Sequence, residues 1–543
     1  MTALGKSGHS QQPLEPASAS ADLRPTLGLN SVILGSTKYG VAPMASFPGG
    51  CVLKKLVLGQ RGRIGAVVGV LAVAACHSVE PTDPDVGLGD QPTKARAADG
   101  RYVSWREHLI DDASISGVQL AGSDGLAVAD LDLDGYRDIV SVHESDIEYD
   151  GVADGHIRIS FGTDDPDRWE SVTLAEGREA GAAEDVAIGD MNGDGYPDVI
   201  AAVELAHLIY FENPGDGIKT ERWRRHIPSI ATGRGSFIRV FLADFDDDGQ
   251  PEVVTANKGE QTGDAETLNT ISWFELAGDP LDDASWIEHE LTRVVWPINS
   301  QPVDLDGDGD IDVVGGSVVE SRIMWFENVT ASTVTFIEHR IDISGTFGPP
   351  SRDTGIERFG ITGFNMDFVD LSGDGRLDIV TNEFFQHLVW LEQPTNAGET
   401  WQLHAIGTFA PDQLVGFVAA DIDDDGDSDV LAGGYSRGPR DRDSDVTEAD
   451  PLGRLAWFAN PGDGSSEWVR QDISRRKRGM FDQFVPLDMD GDGDVDFAST
   501  RGNSVPYDGV FWLEQVRTGM PIPAFERARD IDSQEMPLLT VNE

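Results

Sequence analysis

One nine-residue acidic pattern is written seven times in this chain of 543 residues. The copies are Asp130-Leu-Asp132-Leu-Asp134-Gly-Tyr136-Arg-Asp138, Asp190-Met-Asn192-Gly-Asp194-Gly-Tyr196-Pro-Asp198 and Asp244-Phe-Asp246-Asp-Asp248-Gly-Gln250-Pro-Glu252. They continue with Asp304-Leu-Asp306-Gly-Asp308-Gly-Asp310-Ile-Asp312 and Asp370-Leu-Ser372-Gly-Asp374-Gly-Arg376-Leu-Asp378. The last two are Asp421-Ile-Asp423-Asp-Asp425-Gly-Asp427-Ser-Asp429 and Asp488-Met-Asp490-Gly-Asp492-Gly-Asp494-Val-Asp496. Oxygens at positions 1, 3, 5 and 9 suit one hard cation, the backbone carbonyl of position 7 can add another, and glycine at position 6 permits the sharp turn. The copies stand 51 to 67 residues apart. Such a repeat implies one supersecondary unit used seven times.

Each loop sits in the same context. An apolar segment precedes it (Leu126 to Ala129, Val240 to Ala243) and a β-branched one follows (Ile139-Val140, Val199-Ile200, Val313-Val314). An aromatic segment comes next, as in Ser272-Trp-Phe-Glu275, Met324-Trp-Phe-Glu327 and Phe511-Trp-Leu-Glu514, then a Trp- or Phe-led segment such as Trp286-Ile-Glu-His289. Short segments bounded by Gly, Pro, Asn and Asp, with no sustained helical period, predict strands. Four per unit predict an all-β chain: a seven-bladed β-propeller of four-stranded antiparallel blades. The seventh unit lacks its fourth segment, whereas a spare copy, Trp105-Arg-Glu-His108, stands before the first. An N-terminal strand is therefore expected to complete the last blade and close the ring.

The loops, set between first and second strands, resemble the FG-GAP/VCBS repeat over roughly residues 101–516. That repeat is found in integrin α-subunit propellers, in a seven-bladed calcium-containing fungal lectin and in many exported bacterial proteins. The resemblance implies up to seven structural Ca²⁺ ions, and a ligand face opposite the calcium loops. Ser372 is the weakest donor of the set.

The formal net charge of −54 excludes a nucleic-acid partner, because phosphate needs Lys and Arg. Two cysteines, Cys51 and Cys76, exclude a disulfide framework. Lys54, Lys55, Arg61 and Arg63 precede an apolar stretch, Ile64 to Ala75, that is too short to span a bilayer. Residues 1–75 thus read as a signal region, with 1–43 an over-extended start before Met44. Val73-Ala-Ala-Cys76 resembles the bacterial lipobox, which implies lipidation at Cys76, a mature protein starting there, and a flexible tether over 76–100. Residues 101–516 form the propeller and 517–543 a tail. The expected location is the bacterial outer membrane or cell surface, with the periplasm or secretion as alternatives. Membrane contact is expected through the lipid alone, and the protein as a monomer.

Candidate ligand residues on the face opposite the loops are Lys258, Trp296, Arg352, Arg358, Arg437 and Arg501, within a gathering of positive charge that includes Arg440, Arg475, Arg476, Lys477 and Arg478. Loops on a rigid scaffold commonly carry function. The expected role is binding or adhesion toward a glycan or a surface protein, with no catalytic residues. Two alternatives stay open. One is a scaffold without a small-molecule site. The other is a propeller enzyme of the sugar lyase or dehydratase kind, drawing on His143, Glu144, Glu204, Glu383, His387 and Arg501 in the central funnel. The recurring His108, His226, His289, His339 and His404 are expected to pack rather than to bind zinc.

Overall fold

The computed structural model describes residues 86–145, 154–205, 207–259, 266–331, 333–350, 359–396, 398–436, 446–462, 467–504 and 506–538. Cys76, Arg352, Arg358, Arg437 and Arg440 lie outside them, as does the signal region. Among the described residues there is no α-helix, only three short 3₁₀ turns.

The strands form seven antiparallel blades in a ring. Blade 1 is Ser123–Ala129, Asp138–His143, His156–Phe161 and Glu170–Glu176; blade 2 is Ala183–Gly189, Asp198–Val203, His207–Glu212 and Arg224–His226. Blade 3 is Ser236–Ala243, Glu252–Gly259, Leu268–Leu276 and Trp286–Val295; blade 4 is Pro297–Val303, Asp312–Ser317, Arg322–Asn328 and Phe336–Arg340. Blade 5 is Asp367–Val369, Asp378–Glu383, His387–Glu392 and Trp401–Thr408; blade 6 is Leu414–Ala420, Asp429–Gly434, Gly453–Ala459 and Val469–Arg476. Blade 7 holds Phe484–Leu487, Asp496–Arg501 and Gly509–Thr518, with Tyr102–Asp112 paired antiparallel to the last of these. Two blades depart from four strands. Ile343–Ser344 adds to blade 5 and Phe525–Glu526 to blade 7, both in parallel register.

Why the pattern folds this way follows from burial. Six of the seven second strands are buried along their full length, and Glu252–Gly259 in all but its last residue, because a neighbouring blade covers each of their faces. That is why β-branched pairs recur there. Among the described residues, seven apolar clusters lie one at each seam between adjacent blades, including the seam of blade 7 with blade 1. First strands from all seven blades line a central channel of about 330 Å³.

One stretch differs from the sequence expectation. Residues 86–100 are not a free tether. Ala95 and Ala97 are buried with Trp105 and Phe525, and the Leu88 amide donates to the Met536 carbonyl at 3.0 Å. The C-terminal tail packs against the ring as well: Glu535 is buried and accepts from Ser474 Oγ and the Arg475 amide. The apolar residues responsible are few and not periodic, so no pattern announced them.

Candidate functional site

Each acidic loop is built by its own carboxylates folding back on backbone amides. The position 1 aspartate takes the amide of the position 6 glycine at 2.8–3.1 Å in six loops. The position 5 aspartate takes the amide of position 7 at 2.8–3.1 Å in all seven. Such side-chain-to-backbone bonds hold a tight turn without a regular ladder. Position 4 is left-handed in every loop, whether it is Leu133, Gly193, Asp247, Gly307, Gly373, Asp424 or Gly491. Glycine at position 6 was legible; the demand at position 4 was not, because three copies meet it with other residues.

Position 9 has a second duty. Its buried carboxylate accepts the amide of position 2 at 2.7–3.1 Å in all seven loops. In six, its other oxygen accepts the amide of the residue closing the third strand, at 2.7–2.9 Å. Burial pushes these carboxyls up, to about 6 at Asp138 and Asp378, about 7 at Asp198, Glu252 and Asp312, and about 8 at Asp429 and Asp496. Nearby loop carboxylates add to the effect. A cation in the loop would reverse it.

The donors fit such a cation. Asp130, Asp132 and Asp138 bring carboxylate oxygens within 4.8 Å of one another. So do Asp244, Asp246 and Asp248; Asp304, Asp306 and Asp308; and Asp421, Asp423 and Asp429. An all-oxygen set of this kind suits a hard ion. The loops are not equal, however. In the fifth, the Arg376 guanidinium sits on Asp374. Lys219 Nζ lies 2.7 Å from Asp132 Oδ2 in the first, and Arg517 Nε lies 3.3 Å from Asp494 in the seventh.

Sequence reasoning missed an amide that ties neighbouring loops. Asn213, Asn328, Gln393 and Gln515 each follow the glutamate of the third strand, and each donates to the position 2 carbonyl of the preceding blade's loop, at 2.8–3.1 Å. Its signal was present: in all four, an amide residue follows the glutamate of the aromatic segment. Four of the recurring histidines pack as expected. His108, His289, His339 and His404 stack on Trp512, Trp273, Trp325 and Trp390 at 4.1–4.5 Å. Each meets a glutamate through Nε2 at 2.6–3.0 Å. His226 meets Asp283 instead.

At the other end of the same strands the channel opens into a cavity of about 260 Å³. A six-residue strand is about 20 Å long, so this mouth lies well away from the loops. Two rings of residues line it. Six positions before each loop stand Asp124, Glu184, Ile238, Ile298, Phe364, Val415 and Asp482, all of them on the cavity wall. Six positions after each loop come Glu144, Glu204, Lys258, Val318, Phe384, Tyr435 and Gly502, of which the first four and Tyr435 line it. Blades 1 and 2 thus supply four carboxylates, while blades 4 to 6 supply an apolar wall that includes Trp296, Phe359, Phe364 and Phe385. Across the channel, Arg239 of blade 3 pairs with Asp482 beside blade 7 at 2.8 Å and bonds Asn365 beside blade 5 at 2.8 Å.

The structure sorts the sequence candidates. Lys258 and Trp296 line the mouth, and Lys258 Nζ is paired with Glu204. Arg501 is not on a ligand face: it is 3% exposed and held by Glu107 and Asp532. Arg475 and Arg476 are likewise buried, against Asp412 and Glu107, and Arg478 is buried with them. The expected patch of positive charge is therefore largely interior, because the C-terminal segment covers it. The residues considered for an enzyme do not converge. Glu144 and Glu204 line the mouth, whereas His143 lies between Ser123 and Ser141. His387 stacks on Phe347, and Glu383 accepts from Thr346 and the Phe347 amide.

A family model described as an FG-GAP-like repeat matches residues 130–201 and 190–255. These matches and the seven-bladed ring fit an FG-GAP-like repeat propeller of the integrin-α-like kind. No curated protein matches the sequence. Among solved structures, BBS1N in complex with ARL6DN, soaked with mercury, matches at 9% identity and TM-score 0.40, covering 79% of this chain and 100% of that one. The lead-soaked crystal of the same complex matches at 8% identity and TM-score 0.38, covering 79% and 99%. Likeness at that level says nothing further about this chain.

Proposed function

We propose that the protein is an exported, lipid-anchored, calcium-stabilised propeller whose task is to bind a ligand at the channel mouth. Up to seven Ca²⁺ ions would sit in the acidic loops, held by positions 1, 3, 5 and 9. Their chemistry there is charge neutralisation: they offset carboxylates that otherwise repel and resist burial. The observation that carries the binding role is the mouth itself. There, the positions six residues before and six after each loop vary around the ring, whereas the loop positions themselves repeat in every blade. The cavity suits a group of about the size of a monosaccharide or a large side chain, presented by a surface glycan or a surface protein. Carboxylates beside aromatic faces are the usual furniture of such recognition, a few placed polar groups against an apolar wall. Glycan-array and cell-surface capture experiments with the residue 76–543 protein, with and without EGTA, test the reading. Binding that survives Trp296→Ala and Glu184→Gln together would remove the mouth from it.

A further inference from the structure

The mouth is divided in a way that specifies its ligand. On one side Asp124, Glu144, Glu184 and Glu204 converge, the first three with oxygens within 4.8 Å of one another. Lys258 is the one cation among the described lining residues. Glu204 is 3% exposed; one of its oxygens takes the Lys258 ammonium and the other, Oε2, has no hydrogen-bond partner. Glu184 Oε2 is also buried without one. Burial first, then Asp124, Glu204 and Glu144, push the Glu184 carboxyl well above its ordinary value. A buried acceptor left unmatched costs about 1–3 kcal/mol, so this corner is poised for a donor that also carries positive charge. On the other side Ile238, Ile298, Val318, Phe359 and Phe385 form a continuous buried apolar cluster with Trp296 and Phe364 against it.

We infer that the mouth binds an organic ammonium group carried on an apolar body, with the amine on Glu184 and Glu204 and the body against Trp296 and Phe385. This rests on the mouth being the ligand seat. A bare divalent ion would use the carboxylates but leave most of the cavity and its whole apolar wall without purpose. An anion is excluded by the carboxylates, and a neutral apolar ligand would leave the two unmatched oxygens as they are. Lys258 shows the chemistry in place: the corner already holds one ammonium, on Glu204. A ligand amine would be the second. Aromatic faces beside it add cation–π attraction.

The test is calorimetric titration of the calcium-loaded protein with 2-phenylethylammonium chloride and, separately, with its neutral counterpart 2-phenylethanol. The expected result is saturable binding of the ammonium at least tenfold tighter than the alcohol. Glu184→Gln should weaken it at least tenfold, and so should Trp296→Ala, with both variants retaining the wild-type circular dichroism and melting temperature within a few degrees. Equal affinity for ammonium and alcohol, or an affinity untouched by Glu184→Gln, overturns the inference. So does a Ca²⁺ or Mg²⁺ binding event lost in Glu184→Gln when no ammonium binds. If the ammonium fails while array or cell-surface capture still depends on Trp296, the ligand class is wrong and the seat stands. If both fail, the seat itself is wrong.

Discussion

The two ends of the first and second strands obey opposite rules. At the loop end, seven copies place oxygen at positions 1, 3, 5 and 9, and the backbone bonds repeat almost atom for atom. At the mouth, the equivalent register reads Glu, Glu, Lys, Val, Phe, Tyr and Gly across blades 1 to 7. Both ends stand on the same strands, so the difference does not come from the fold. Sameness marks what every blade needs in order to stand beside its neighbour. Divergence marks what the ring as a whole does once, because a central cavity sees each blade only once.

Removing the loop ions should have the largest effect. At a hundredfold excess over Kd, one site contributes about 2.7 kcal/mol. EGTA should therefore lower the melting temperature by more than about 10 °C, measured by circular dichroism. A shift of a degree or less would mean that the loops repeat without needing metal.

The next experiment asks whether unrepeated always means functional. Glu107 shares its register with Glu288 and Glu338, which are partly exposed, but its pairing is unrepeated: it is buried against Arg476 at 2.8 Å and Arg501 at 2.9 Å. Burial alone would raise its carboxyl, but the two guanidinium charges prevail and hold it at about 2. A folded pKa below the unfolded one gives stability that is complete above about pH 4.5 and lost as pH falls toward 2. Glu107→Gln should cost about 3–5 kcal/mol at neutral pH, since two buried cations lose their carboxylate. The variant should also lose less stability than the parent between pH 4.5 and 2 in urea titrations. A variant as stable as the parent would show that Glu107 is not there for stability.

A smaller effect separates two loops. Asp308→Asn removes a carboxylate from an all-acid set, whereas Asp374→Asn removes one that already has Arg376 upon it. Bound Ca²⁺, counted by equilibrium dialysis, should fall by about one ion in the first variant and stay unchanged in the second. Equal losses would show that Arg376 gives way to the ion. The smallest effect belongs to the mouth. Glu184→Gln should leave the melting temperature unchanged or raise it by a degree or two, because it relieves repulsion among carboxylates. A marked fall would make Glu184 a structural residue and blur the contrast between the two ends.

Much of this was legible in the sequence, and the reason is physical. The acidic loops, β-branched strands and Trp–Glu–His set are local signals, each contained in a few residues, the first copied by every blade and the last by four. Position 9 was read as a metal ligand, yet its bracket onto the third strand depends on a residue 15 to 31 places away, as Asp312 with Asn328 or Asp429 with Asn460. The mouth was only half visible. Lys258, Trp296, Glu144 and Glu204 were singled out, but for different roles. Asp124, Glu184 and Phe385 were not, since only the ring brings them together. Arg501 and Arg475 misled because charge on a loop reads as exposed, and nothing local says that a C-terminal segment covers it.

The amides of Asn213, Asn328, Gln393 and Gln515 have a consequence for how the ring fills. Each fastens the end of one blade's third strand to the loop before it. Ordering one loop therefore pre-orders the next, and part of the entropic cost of the second ion is met by the first. Saturation should accordingly be steeper than seven independent sites allow, with a Hill coefficient above one. Occupancy would then spread from blade to blade as a cooperative front.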